Sequence, residues 1–344
     1  MNARSGRTVR RPALGAGELF VRLRPHLRAL DRFVRAQLDC FEPEIRAPVA
    51  YCVDVSGKRL RPSLVFLSGW RGAGRVAPPL VRAAAIVEMV HLATLVHDDI
   101  MDGAELRRSL PTAARRYGSD AAVLTGDALL AHAVHLSAQF PSSEVCRVVA
   151  AATRRVCAGE VAQTLRRGDT SITLADYRRI VDLKTAELFQ LSCRLGSSLA
   201  GFEAAFVTAA AAFGRHLGIA YQIYDDLADF FGEEKQVGKT LGTDLAGGKL
   251  TLPLLMLLPK LPGAERARLL AEIRTGRKPA VGRRRAQMTE LGVFGDVVGY
   301  IQDELVAANA NLRPWRRLAA AGLLARLGEL LRDQLDGLQH GASD

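Results

Sequence analysis

Apolar positions along this chain recur at spacings of three and four almost from end to end, the period of one face of an α-helix. Val87, His91, Thr94 and Asp98 fall on one such face, and Leu324, Leu327, Leu331 and Leu335 on another. Alternating β-branched runs are absent, and alanine and leucine dominate. Glycine and proline interrupt the pattern at Gly69–Pro79, Gly103–Pro111, Pro141–Ser143, Gly168–Thr173, Gly232–Gly248, Pro259–Gly263 and Gly276–Gly282. The stretches between suit helices of roughly 15–25 residues, with starts at Ser142-Ser143-Glu144 and Ser171-x-x-Leu174. The pattern predicts an all-α fold: a single-domain bundle of antiparallel helices around a deep central cavity. The folded domain is expected over 19–338, between a flexible basic N-terminal tail (1–18) and a flexible C-terminal tail (339–344).

Two acidic triplets disturb this apolar pattern. The first is Asp98-Asp99-Ile100-Met101-Asp102 and the second Asp225-Asp226-Leu227-Ala228-Asp229. Each stacks carboxylates at i and i+4 on one helix face, where like charges repel. A divalent cation between them turns repulsion into attraction. Each triplet ends a long apolar stretch and is followed by glycine and basic residues, which puts both at the mouth of the bundle. A substrate with a diphosphate head and a hydrocarbon tail matches a metal-lined rim over an apolar interior. Mg²⁺ prefers oxygen ligands and often bridges carboxylates to phosphates. Asp98, Asp102 and Asp225 are the expected ligands, and Asp99, Asp226 and Asp229 would hold metal-bound waters.

Composition narrows the picture. The net charge is +11, but the basic residues are dispersed with few aromatics among them, which argues against nucleic acid and for a phosphorylated small substrate. Of 47 basic residues only 7 are lysine, and four of those adjoin Gly or Thr: Lys58, Lys184, Lys239 and Lys249. Lysine is a compact point charge and arginine a planar fork, so lysines kept in an arginine-rich chain suggest places where an ammonium reaches phosphate. Lys58, Arg61, His91, Arg107 and Arg108 would clamp a second diphosphate that carries no metal. Five scattered cysteines without CxxC read as reduced thiols, in a cytoplasmic setting. No secretory h-region is seen, and no uninterrupted apolar run reaches the roughly 18 residues of a membrane span.

These residues resemble the trans-isoprenyl (polyprenyl) diphosphate synthase family, from about Leu19 to Leu338. The blocks are Gly57-Lys58-Arg59-Leu60-Arg61-Pro62, Glu88-Met89-Val90-His91, the first triplet with Arg107-Arg108 and Pro111, Gly159-Glu160 with Gln163, Lys184-Thr185-Ala186, Gln222 with the second triplet, and Gly238-Lys239 leading to Asp244 and Gly248-Lys249-Leu250-Thr251-Leu252-Pro253. Each block alone is weak; their order and spacing are specific.

The resemblance implies the isoprenoid synthase fold and a prenyltransferase using several Mg²⁺ ions. An allylic diphosphate ionises, isopentenyl diphosphate attacks the cation, and a proton is lost to the released diphosphate. It further implies that Arg107, Lys184, Lys239 and Lys249 hold the allylic diphosphate, and that Lys58, Arg61, His91 and Arg108 hold isopentenyl diphosphate. Thr185 and Gln222 would place oxygen dipoles near the cation, and closure of the Gly232–Gly248 loop would exclude water. Ala93 and Thr94, small residues just before the first triplet, imply a product longer than geranylgeranyl diphosphate, with Phe140 a weak candidate for the pocket floor. A homodimer is expected, with loose membrane association through the product.

Alternatives are a short-chain synthase, a catalytic subunit needing a small partner, a terpene cyclase, or a non-catalytic partner subunit. The intact second triplet and the Lys58/Arg61 pair argue against a cyclase, and both acidic motifs argue against a non-catalytic subunit. Three features depart from the family pattern or find no role in it. Tyr221 stands where phenylalanine is usual, the C-terminus lacks a basic tail, and Arg283-Arg284-Arg285 reads as a solvated face.

Overall fold

Helices begin and end where glycine and proline punctuate the chain. A computed structural model describes residues 16–55, 57, 59–72, 76–232, 241–276 and 280–343, with side chains through Leu338. Helix α1 spans Ala16–Gln37, α2 Pro43–Asp54, α3 Leu60–Ser68 and α4 Pro78–Met101. A two-stranded antiparallel hairpin follows, β1 Leu106–Arg107 and β2 Leu110–Pro111. Next come α5 Ala113–Tyr117, α6 Ser119–Ala138, α7 Ser143–Thr164 and α8 Leu174–Val181. A π-helical turn, Asp182–Ala186, joins α8 to α9 Glu187–Leu199, and α10 spans Ala204–Phe231. The remainder is α11 Thr243–Ala246, α12 Leu252–Leu257, α13 Gly263–Thr275, α14 Val281–Glu290, α15 Val293–Leu312 and α16 Ala319–Ser343.

The two helices that carry the acidic triplets form the centre. α4 packs on α6, α3 and α9, and α10 packs on α9 and α15. α4 is apolar nearly all round and is buried from Leu80 to Val96 save for partly exposed positions such as His91 and Thr94, as a central helix must be. Both triplets end their helices, at Met101 and Phe231, as the sequence predicts. The leucine face of α16, Leu324, Leu327, Leu331 and Leu335, is buried.

Helix α8 does start at Leu174, as the Ser171-x-x-Leu174 stretch predicts, with Thr173 as its cap in a reciprocal capping box with Asp176. The Ser142 hydroxyl does accept the Glu144 N–H, at 3.1 Å, at the start of α7. The backbone of α16 is helical to Ser343. Pro78–Met101 and Ser119–Ala138 are long and apolar enough on average to match a membrane span, although neither holds an unbroken apolar run; the first is mostly buried in the bundle. The Arg283–Arg285 stretch is a solvated face only in part: Arg283 is exposed. Arg284 is fully buried and forks onto Glu272 at 2.6 and 3.0 Å, and Arg285 lies 5.7 Å from the Phe231 ring centre. All five cysteines are free.

Candidate active site

The last turn of α4 sorts its three aspartates by direction. Asp98 is half-buried and Asp102, at the helix end, is exposed, while Asp99 between them is buried. Asp99 takes the Arg107 fork from the hairpin, with Nη2 at 2.6 Å and Nε at 2.8 and 3.0 Å. Burial pushes the Asp99 carboxyl up against the pull of Arg107. Asp102 is held by Arg167 at one oxygen and by Lys249 Nζ at the other, 3.1 Å away. Burial would raise its pKa, but Lys249 and Arg167 outweigh that and hold it below the ordinary carboxylate value. Asp98 lies 3.4 Å from Lys184 Nζ, and its Oδ1 is buried without a hydrogen-bond partner.

Lys184 reaches the site from an unusual backbone. It sits in the π-helical turn, where one extra residue per turn re-aims side chains. Two glycines admit this turn: a Cβ on Gly159 of α7 would lie 2.6 Å from Lys184 N, and one on Gly218 of α10 2.7 Å from Ala186 Cα. Lys184 Nζ meets Glu160 at 2.5 Å and Gln163 at 2.8 Å. Burial and the neighbouring Asp98 raise the Glu160 carboxyl. Thr185, next in the turn, donates to Gln222 Oε1 at 2.6 Å, and Gln222 Nε2 donates to Asp226 Oδ1 at 2.7 Å. Tyr177 of α8 donates to the other Asp226 oxygen at 2.6 Å.

The second triplet is sorted in the same way. Asp225 is half-buried, whereas Asp226 and Asp229 are buried. Burial, with Asp244 and Asp225 nearby, pushes the Asp226 carboxyl well up. Asp229 accepts the Asp244 N–H at 3.1 Å and the Thr243 hydroxyl at 3.2 Å, capping the turn that leads to Lys249. Asp99, Asp226 and Asp229, expected to hold metal-bound water, are buried with their oxygens on protein partners. Asp98, Asp102 and Asp225 are the more exposed of the six. Among the described residues no three carboxylate, imidazole or thiolate groups are gathered closely enough to hold a metal ion by themselves. Hard oxygen donors and the orphaned Asp98 Oδ1 nevertheless suit Mg²⁺, which takes part of its shell from phosphate and water.

A second basic group lies beside the first. Arg61 Nη1 donates to His91 Nε2 at 2.9 Å, and its guanidinium lies 5.0 Å from the Phe189 ring centre. Burial, then Arg61 and three further arginines, drives the His91 pKa well below its ordinary value, so the ring is a neutral acceptor. Arg59 pairs with Glu88 at 2.9 Å. Arg108 donates to the Val55 carbonyl at 2.8 Å and covers Gly57 so closely that a Cβ there would fall 1.7 Å from its Nη2. Among the described residues, the non-glycine positions with left-handed backbone are Arg59, Arg108 and Ser109, all in this region. Such a backbone costs on the order of 1–3 kcal/mol per residue and persists where function needs the side-chain direction. Arg108 and Ser109 occupy the two central positions of the hairpin turn, where positive φ matches strand twist. Lys58, Lys239 and residues 233–240 of the Gly232–Gly248 loop, all expected to contribute, lie outside the described residues.

Sequence reasoning missed Arg167 and Tyr177 and gave no role to Glu160, Gln163 or Glu88. Arg167 did carry a signal, because it adjoins Gly168 just as the singled-out lysines adjoin glycine. Tyr177 carried none, since its partner Asp226 is 49 residues away and comes near only in the fold.

Ala93 is buried in the core, while Thr94 is half-buried and donates to the His91 carbonyl at 2.8 Å. A cavity of about 430 Å³ lies between α1 and the start of α4, lined by residues such as Phe33 and Arg82, and one of about 30 Å³ lies behind Asp99, lined by Cys52 and Val96. Neither is lined by Thr94 or by Phe140.

Comparison with known proteins gives this geometry a family. The polyprenyl synthetase family profile matches residues 42–289. The chain is 35% identical over 268 residues to the octaprenyl diphosphate synthase of Haemophilus influenzae, covering 77% of this chain and 81% of that protein. It is 35% identical over 231 residues to heptaprenyl diphosphate synthase component 2 of Bacillus subtilis, spanning 67% of this chain and 65% of that one. Its fold superposes on the crystal structure of a polyprenyl synthase from Caulobacter crescentus complexed with calcium and isoprenyl diphosphate, with TM-score 0.85 and 30% identity, over 93% of this chain and 98% of that one.

Proposed function

Because the chain belongs to the polyprenyl synthetase family, we propose that it condenses isopentenyl diphosphate head-to-tail with an allylic diphosphate, giving an all-trans polyprenyl diphosphate longer than geranylgeranyl. The observation that carries this reading is the arrangement at Asp98 and Asp102, where Lys184, Lys249 and Arg167 converge on two carboxylates of one helix end. Cations and anions are brought together, as a metal–diphosphate complex requires of its host.

Asp98, Asp102 and Asp225 would hold Mg²⁺, which when bound supplies Lewis-acid stabilisation of the leaving diphosphate's charge. Arg107, Lys184 and Lys249 bind the allylic diphosphate and receive its negative charge as the allylic C–O bond breaks with its electron pair on oxygen. Arg61, His91 and Arg108 bind isopentenyl diphosphate; the sequence adds Lys58 to them and Lys239 to the allylic group. Thr185 and Gln222 present oxygens toward the allylic cation. The isopentenyl double bond forms the new C–C bond, and the proton then lost goes to the released diphosphate. The octaprenyl and heptaprenyl relatives, together with small residues at Ala93 and Thr94, support the long product.

A second copy of the chain is the proposed partner. Val123, Leu124 and Val134 on α6, Val161 on α7 and Leu165 just past its end are exposed, an apolar surface a homodimer would cover. The Bacillus component 2 relative supports testing for a small partner subunit as well. The reaction is set in the cytoplasm, with loose membrane association only through the product.

The test is incubation of the full chain with labelled isopentenyl diphosphate, Mg²⁺ and each allylic starter in turn, with product length read by chromatography. Products beyond geranylgeranyl are expected, and Asp98→Asn should lower turnover about 10²–10³-fold. Products no longer than geranylgeranyl would overturn the long-chain reading. Near-normal turnover of the variant would overturn the metal assignment.

A further inference from the structure

Arg107, Lys184 and Lys249 surround the first triplet, and each has a carboxylate partner there. Arg167 has the same kind of partner and so far no role. Its Nη2 is bonded to Asp102 Oδ1 while Lys249 holds Oδ2, and its Nη1 donates to the Met101 carbonyl at 3.1 Å. Its Nε is buried with no hydrogen-bond partner. The side chain is 24% exposed, so an incoming anion can reach it.

We propose that Arg167 is a further anchor for the allylic diphosphate, a role that rests on the prenyl synthase reading of this site. A metal–diphosphate complex that takes the oxygens of Asp102 removes the carboxylate partner of Arg167 and one of the two that Lys249 has, the other being Asp244 at 3.7 Å. A partly buried cation left without a counter-charge is costly, and the nearest replacement is the diphosphate itself. The guanidinium fork suits it, because arginine presents paired donors to phosphate oxygens where lysine offers one point of charge. The backbone keeps the two cations in concert. Gly168 N–H donates to the Gly248 carbonyl at 2.9 Å, tying the turn that carries Arg167 to the one that carries Lys249. Arg274 Nη2 reaches Thr170 Oγ1 at 3.3 Å and braces the same turn without approaching Asp102. In this arrangement Arg167 exchanges Asp102 for the substrate's phosphate as the site loads.

The experiment titrates inorganic diphosphate with Mg²⁺ into the full chain by calorimetry, independently of turnover. Arg167→Ala should weaken binding about 10- to 100-fold, the range for one lost charge-assisted contact. Arg167→Lys should recover part of the loss. Arg274→Ala, which loosens the turn but removes no charge from the mouth, should bind as the unaltered protein does. In steady state, KM for the allylic diphosphate should rise in Arg167→Ala while KM for isopentenyl diphosphate stays unchanged. If Arg167→Ala does not fold, Arg167→Gln keeps most of the side chain's length without the charge and should show the same weakening. Unchanged affinity in the charge-removing variant, or equal loss in Arg274→Ala, overturns the anchor role and leaves the enzyme assignment standing. Failure of the unaltered protein to bind Mg²⁺ and diphosphate overturns both.

Discussion

Asp102 and His91 are set by their neighbours in opposite ways. Asp102 is surrounded by cations and stays charged; His91 is surrounded by arginines and stays neutral. The neutral ring accepts from Arg61 at 2.9 Å. The consequence for stability has a definite sign. The folded pKa of His91 lies below its unfolded value of about 6.5, so above that pH neither state gains a proton there. Below it the unfolded chain is protonated first, and stability falls by up to about 1.4 kcal/mol per pH unit until the folded pKa is reached. His91→Gln keeps an acceptor for Arg61 and removes the titration. Denaturation midpoints measured from pH 7 to pH 5 should fall less steeply in that variant than in the unaltered chain. Parallel curves would contradict the burial-driven shift.

At the scale of elements, the site depends on backbone that departs from regular helix. The π-helical turn delivers Lys184 and Thr185 together, and the hairpin turn delivers Arg108 from a strained backbone. Helix α4 does the reverse, using strict periodicity to set Thr94 beneath Asp98 on one face and to bury Ala93 on another. The two positions should therefore respond differently to a large side chain. Thr94→Phe, on the face that leads to the triplet, should shorten the product. Ala93→Phe overpacks the core and should cost about 1–3 kcal/mol in stability, measured by chemical denaturation, with shortening as a secondary effect. An unchanged product profile in both variants would remove these residues from any role in chain length.

For the whole molecule, the expected association depends on the outer faces of α6 and α7. Leu165 is 80% exposed and Leu124 61%, values that a lone soluble surface tolerates singly but seldom in a group. Analytical ultracentrifugation of the full chain should give a dimer. Charge placed at two of these sites, Leu124→Glu with Leu165→Glu, should shift it toward monomer while leaving helical content unchanged. A dimer indifferent to both substitutions would move the interface elsewhere.

The all-α bundle, the helix breaks and the position of both triplets at helix ends are all legible along the chain. Local rules govern each of them: periodicity sets faces, glycine and proline set ends, and a repulsive i, i+4 pair inside an apolar run signals a counter-charge. Which counter-charge each aspartate meets is a different matter. Asp99 with Arg107 is eight residues apart, Asp102 with Arg167 sixty-five, and Asp226 with Tyr177 forty-nine. Packing alone divides the six aspartates into three that are buried and three that are more exposed, because burial and the partner of a charge are set by distance in space, and only the folded bundle sets that distance.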